Sequence, residues 1–147
     1  MERRVCKTVY VGQVPVGGGA PVTVQSMLNT PAHDIPASVE QARRLQAAGC
    51  DIIRAAVPDR EAVPLIAALK EAVSIPVVAD IHFDYRLALE AAAAGVDKIR
   101  INPGNIGDDD RVKAVVDACQ QKNIPIRIGV NGGSLEKHIL AKYGAPT

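Results

Sequence analysis

The sequence predicts an α/β fold: part of a TIM (β/α)8 barrel, about five βα units preceded by an N-terminal β-hairpin. Two observations carry that expectation. Ala47-Ala48-Gly49-Cys50-Asp51-Ile52-Ile53-Arg54 and Ala93-Ala94-Gly95-Val96-Asp97-Lys98-Ile99-Arg100 are near copies, each reading as helix end, glycine stop, aspartate turn and arginine-bearing strand. Their arginines are 46 residues apart, two units of about 23 residues, which is the rhythm of a barrel that needs about 250 residues when complete. Strands alternating with helices require parallel pairing. An open five-stranded flavodoxin-like sheet is the structural alternative.

The elements follow in order. Val9 to Val24 alternates short β-branched runs around Gly17-Gly18-Gly19 and reads as a hairpin leading into a strand at about 22–27. No Lys-Ser/Thr follows the three glycines, so they read as a turn and not as a phosphate loop. A helix is expected at 36–48, with Pro36 near its start and Gly49 as its stop. A strand at 52–57 and helical sequence from 59 to 73 come next, and Pro64 should kink or restart that helix. Then come a strand at 76–81, a helix at 84–94, a strand at 98–102, a helix from Asp108 to about Lys122, a strand at 125–130 and a short helix from Ser134 to Tyr143. Residues 1–20 form the hairpin region and 21–147 the N-terminal part of a barrel domain.

Composition narrows the function. At 147 residues and 48% hydrophobic the chain buries one core, and its net charge of +1 gives no support for nucleic-acid or membrane-surface binding. Tryptophan is absent and only 3% of residues are aromatic, which disfavours base stacking. Three widely spaced cysteines without a CxxC pair disfavour a disulfide framework or zinc site and favour a reducing cytoplasm. No signal peptide or membrane span is expected.

Polar residues gather at the C-terminal ends of the strands, where barrel enzymes place their chemistry. With period two, Asp80 and His82 share a face, as do Arg100 and Asn102, and Arg127 and Asn131, with Arg54 in the matching position. Ile81, Ile99, Ile101, Ile126 and Ile128 have the opposite parity and suit a helix-covered outside. Three arginines aimed into one mouth repel one another unless an anion sits between them, and guanidinium groups grip phosphate in bidentate fashion. The competing reading is that each arginine pairs with Asp51, Asp80 or Asp97 and only closes the barrel. His82 is open between general acid, phosphate donor and satisfied core histidine, and Asp80 between orienting an arginine and binding a hydroxyl. His33 and His138 lack partners at metal-ligand spacing and read as solvated. Asp108 to Asp110 read as a helix start, and Cys50 and Cys119 as small core fillers.

Four motifs carry a resemblance: Gln25-Ser26-Met27-Leu28-Asn29-Thr30, Ala79 to Arg86, Arg100 to Gly107 and Arg127 to Lys137. From about residue 7 onward the chain resembles the 4-hydroxy-3-methylbut-2-enyl diphosphate synthase family. Leu28 stands where that family has a second threonine, and Ala55-Ala56 replaces a Val-Ser-like pair. The resemblance implies a cyclic diphosphate substrate, 2-C-methyl-D-erythritol 2,4-cyclodiphosphate, opened by two-electron reduction with loss of a hydroxyl as water. It implies ferredoxin or flavodoxin as electron donor and a [4Fe–4S] cluster held by three cysteines and a glutamate in a C-terminal domain absent here. Cys6, Cys50 and Cys119 do not match those ligands, so no metal ligand is expected in this chain.

Under the same resemblance Asp80 and His82 are the candidate catalytic groups. Arg54, Arg100, Asn102, Arg127 and Asn131 are the candidate substrate-binding groups. A further substrate lysine and the second half of the barrel lie outside the chain, and the family works as a head-to-tail dimer. The chain by itself is therefore expected to be inactive and to associate into a homodimer or higher assembly through exposed strand edges. The rival readings are a dihydropteroate-synthase-like diphosphate-binding barrel, with Asn29, Thr30 and Asp34 as its first loop, and a half-barrel that only folds and associates.

Overall fold

A computed structural model describes residues 4–135 and 137–145. A two-stranded antiparallel hairpin, β1 (Val9–Val11) and β2 (Val14–Val16), comes first. Five parallel strands follow: β3 (Gln25–Met27), β4 (Ile52–Val57), β5 (Val77–Ile81), β6 (Lys98–Ile101) and β7 (Ile126–Ile128). Between and after them run α1 (Ile35–Ala47), α2 (Pro64–Ala72), α3 (Tyr85–Ala93), α4 (Pro103–Ile106), α5 (Asp109–Gln121) and α6 (Lys137–Tyr143).

The strand order is strictly sequential, β3-β4-β5-β6-β7. A flavodoxin-like sheet changes direction at its first strand and carries helices on both faces. Here one face carries Ile53, Ala55, Val57, Val77, Ala79, Ile81, Ile99 and Ile101, packed in one cluster with Leu65, Ile66 and Leu69 of α2, Leu87 and Ala91 of α3, and Val115 of α5. The other face meets the hairpin instead, through Val11, Ile52 and Val78 with Val14 and Val16 alongside. Helices outside and side chains inside are the layering of a barrel wall. Each fully buried isoleucine on that wall contributes about 2 kcal/mol of transfer free energy.

The repeated motif has a local physical basis. Gly49 and Gly95 adopt φ of 90° and 85°, and the following residues donate back five positions, Cys50 N to Leu45 O at 3.0 Å and Val96 N to Ala91 O at 3.3 Å. This pattern closes a helix with a left-handed residue. α5 ends in the same way, with Asn123 at φ 55° in place of glycine and Ile124 N donating to Cys119 O at 2.9 Å. Asp51 and Asp97 then start the next strands by gripping the preceding one. Val24 N donates to Asp51 Oδ2 at 2.7 Å and Val77 N to Asp97 Oδ2 at 2.8 Å.

Two expectations change. The hairpin turns at Gly12-Gln13, with Val11 opposite Val14, and the three glycines form a loop after β2. Gly12 is needed there for space as well as for its φ of 56°: a Cβ would sit 3.1 Å from Pro76 Cγ and 3.3 Å from Asp97 Oδ1. The hairpin tip thus presses on the N-terminal ends of the strands and plugs the floor of the wall. Residues 103–106 form α4, with Pro103 at the first helical position, where a missing N–H costs nothing. Pro64 restarts the chain as α2 after a 3-10 turn at Arg60–Ala62. Among the described residues no helix is long and apolar enough to cross a membrane.

Candidate functional site

The inward face is read from the ladder register. Ala56, Asp80, Arg100 and Arg127 stand side by side across β4 to β7, and Arg54, Val78 and Lys98 form the row beneath. Asp80 is the centre of the upper row and is buried, 1% exposed. Its Oδ2 accepts from Arg54 Nε at 3.1 Å and from Arg54 Nη2, while its Oδ1 accepts from Arg100 Nη1 at 3.2 Å. His82 Nε2 lies 3.5 Å from Asp80 Oδ2 at the rim. One carboxylate therefore gathers two guanidinium groups and an imidazole from three strand ends. The arginine side chains remain 20% and 15% exposed, open toward the mouth.

Arg127 is placed differently from the other two arginines. It is exposed on the edge strand, in register with Arg100, and shares a cavity of about 410 Å³ with Lys98, Gln25, Thr23 and hairpin valines. Lys98 is the inward residue that the arginine-based reading passed over, although it has the parity of Arg100. Burial first, then the positive charges of Arg127 and Arg54, hold its ammonium below the ordinary lysine range. Among the described residues neither Lys98 nor Arg127 has a carboxylate partner. Two inward cations thus share the Asp80 carboxylate, two more line the hairpin-side cavity of the same face, and such an excess of positive charge favours an anion.

Of the alternative arginine pairings, those of Arg54 and Arg100 with Asp80 form, whereas among the described residues Asp51 and Asp97 take no arginine. Asp51 caps Val24, and Asp97 takes Lys70 Nζ at 2.7 Å besides Val77. Asn102 is buried, donates to Ser134 Oγ at 2.7 Å and accepts from Gly104 N at 3.2 Å. Ser134 Oγ in turn donates to Asn131 O at 3.1 Å. The β6 and β7 loops carrying Asn102 and Asn131 are therefore joined through a serine that no spacing argument marked. Asn131 itself is exposed.

Other candidates are occupied by structural work. Asp34 caps α1 by accepting from Ala37 N, Asn29 bonds Gln41, and Thr30 bonds Ser38 and Gln41, so this loop serves the helix that follows it. His33, expected on a solvated face, is exposed and ion-paired there: Nε2 lies 2.9 Å from both oxygens of Asp59. That contact raises the imidazole pKa and lowers the carboxyl. Asp108 caps α5 by accepting from Arg111 N. Cys50 and Cys119 are buried, with the Cys119 thiol pushed up by burial, whereas Cys6 is exposed. Among the described residues no three His, Cys, Asp or Glu side chains stand together as metal ligands. The donors present do not fit an iron–sulfur cluster.

Comparison with known proteins agrees with the motifs. A family model described as the GcpE TIM-barrel domain matches residues 6–147. A protein of Pseudomonas paraeruginosa named 4-hydroxy-3-methylbut-2-en-1-yl diphosphate synthase (flavodoxin) is 60% identical over all of this chain and 40% of its own length. The protein of that name from Azotobacter vinelandii is 58% identical over the same shares. The chain thus spans about 40% of the length of the curated relatives it matches. Among solved structures, dihydropteroate synthase of Yersinia pestis aligns with TM-score 0.61 over 81% of this chain and 44% of its own, and that of Vibrio fischeri with 0.61 over 82% and 48%. Both are 18% identical, so they share the fold alone, and the dihydropteroate-synthase-like rival has no support in sequence. Sequential strands, an inward cationic row and the family match lead to one conclusion: the chain belongs to the GcpE TIM-barrel family.

Proposed function

We propose that this chain is the substrate-binding barrel portion of an enzyme that reductively opens 2-C-methyl-D-erythritol 2,4-cyclodiphosphate to 4-hydroxy-3-methylbut-2-enyl diphosphate, a step of isoprenoid biosynthesis. The observation that carries this reading is the inward-facing set of Arg54 and Arg100 on the Asp80 carboxylate with Lys98 and Arg127 on the same sheet face, in a chain 60% identical to a protein named for that product. A diphosphate would replace the mutual repulsion of the cations with charge-assisted hydrogen bonds.

In this reading Arg54, Arg100 and Arg127 hold the diphosphate, and Asn102, Asn131 and His82 add hydrogen bonds. Asp80 fixes Arg54 and Arg100 and faces the carbon skeleton and its hydroxyls. The overall change adds two electrons and two protons, breaks the ring C–O bond to phosphate and releases one hydroxyl as water. The [4Fe–4S] centre, and flavodoxin or ferredoxin as donor, are assigned to the longer parent protein, which supplies the redox chemistry while these residues bind and orient. The word flavodoxin in the relatives' names supports that donor. A cytoplasmic location and a homodimer or larger assembly complete the proposal. Supporting association are the apolar side chains Ile128, Val130, Ile139, Leu140 and Tyr143, exposed along β7 and α6.

Calorimetric titration tests the site. Expected are saturable binding of the cyclodiphosphate that weakens as salt rises, weaker binding of a pterin diphosphate, and at least a tenfold loss in Arg100→Ala. Equal affinity for both diphosphates, or affinity unchanged in Arg100→Ala, would overturn the assignment.

A further inference from the structure

We infer that Gly129 is a positioning residue for Arg100: the side chain it lacks is the space in which the Arg100 guanidinium is seated. This inference rests on the anion-binding reading of the inward face and deepens it.

Gly129 follows β7, two residues after the inward-facing Arg127, so it shares the inward parity one row nearer the mouth. Its backbone is fixed to the neighbouring strand by Gly129 N donating to Ile101 O at 2.9 Å. It is absent from the glycines with positive φ, so backbone conformation does not demand glycine here. What demands it is space. A Cβ built on Gly129 would lie 2.6 Å from Arg100 Nη2, 2.7 Å from Nε and 3.0 Å from Cζ.

All three of those atoms belong to the far end of one flexible side chain, which decides the consequence of substitution. The wall can accept a methyl group at 129 if Arg100 swings aside, so the fold survives and the geometry of the site does not. Arg100 would leave Asp80 Oδ1, its partner at 3.2 Å, and the two arginines would no longer be held on one carboxylate. The contrast with Gly104 is instructive, because a Cβ there meets the Ser134 backbone and displaces a loop.

The test uses Gly129→Ala in this chain, inorganic pyrophosphate as probe and the side-chain Nε–H resonance of Arg100 as reporter. The expected result without ligand is a shifted, faster-exchanging Arg100 Nε–H in Gly129→Ala, with amide signals away from β6 and β7 unchanged. Pyrophosphate affinity should fall about tenfold, the order expected for losing one charge-assisted contact. It should fall no further when Gly129→Ala is added to Arg100→Ala, since the glycine acts only through that arginine. Gly133→Ala, whose Cβ would meet nothing within 4 Å, is the control and should bind like the parent chain.

An Arg100 signal unmoved by Gly129→Ala would overturn the inference. So would an equal loss of affinity with and without Arg100. If the parent chain fails to bind pyrophosphate, the anion-binding reading falls, and the Arg100 resonance in the free protein still decides the role of Gly129.

Discussion

Asp80 reaches across the wall to Arg54: its carboxylate, on a residue only 1% exposed, accepts from Arg54 Nε at 3.1 Å, while its other oxygen accepts from Arg100. Removing the charge leaves two guanidinium groups side by side with no negative charge between them. Asp80→Asn should therefore lower stability by about 3 kcal/mol, the order seen when one member of a buried pair is lost. Saturating pyrophosphate should return much of it, about 2.7 kcal/mol when ligand stands at a hundred times its Kd. Chemical denaturation with and without pyrophosphate measures both quantities. Equal stability of variant and parent would show that Asp80 is not the centre of the site.

Lys98 gives the inward face a titration of its own. Its folded pKa is depressed, chiefly by burial, so between that value and the unfolded lysine value the unfolded chain binds more protons. Stability should rise with pH through that alkaline window, and Lys98→Met should flatten the rise. Binding an anion near Lys98 restores its proton affinity. Titrations in buffers of different ionisation enthalpy should therefore show proton uptake in the parent chain and none in Lys98→Met.

How much of this was legible in sequence depends on how far each signal reaches. Gly49 with Asp51 and Gly95 with Asp97 act within a few residues of the strands they start, so the repeat placed β4 and β6 correctly. The hairpin was misplaced because Gly17 to Gly19 outweighed the single Gly12, whose necessity comes from Pro76 and Asp97, far along the chain. α4 falls between the strand expected at 98–102 and the helix expected from Asp108, and Pro103 opens it. Parity located the inward face but said nothing of what each side chain meets there. It grouped Arg127 with two arginines that share Asp80, passed over Lys98, and left Ser134 unmarked because its partner Asn102 is 32 residues away.

His33 and Asp59 join the loops after β3 and β4 at the mouth, and their contact lies at the surface. The imidazole pKa is raised above its unfolded value, so its contribution is complete below the unfolded pKa and is lost as pH rises through the folded one. The His33 ring resonances should titrate above the ordinary histidine range, and Asp59→Asn should return them to it. A midpoint in His33 that is indifferent to Asp59→Asn would remove the ion pair from the description of the mouth.

Gly104 and Ser134 decide whether the β7 loop closes over α4. A Cβ on Gly104 would fall 2.0 Å from the Ser134 carbonyl oxygen, and backbone cannot swing aside as a side-chain tip can. Gly104→Ala should therefore lift the loop at 131–135, break the 2.7 Å bond from Asn102 to Ser134, and cost about 2 kcal/mol, as overpacking does. Ser134→Ala removes only the hydroxyl and should cost about 1 kcal/mol, leaving the loop in place. Amide hydrogen exchange over 131–135 separates the two, being fast in Gly104→Ala and close to the parent chain in Ser134→Ala. Equal protection in both variants would mean that the loop is held by contacts other than the close approach at Gly104.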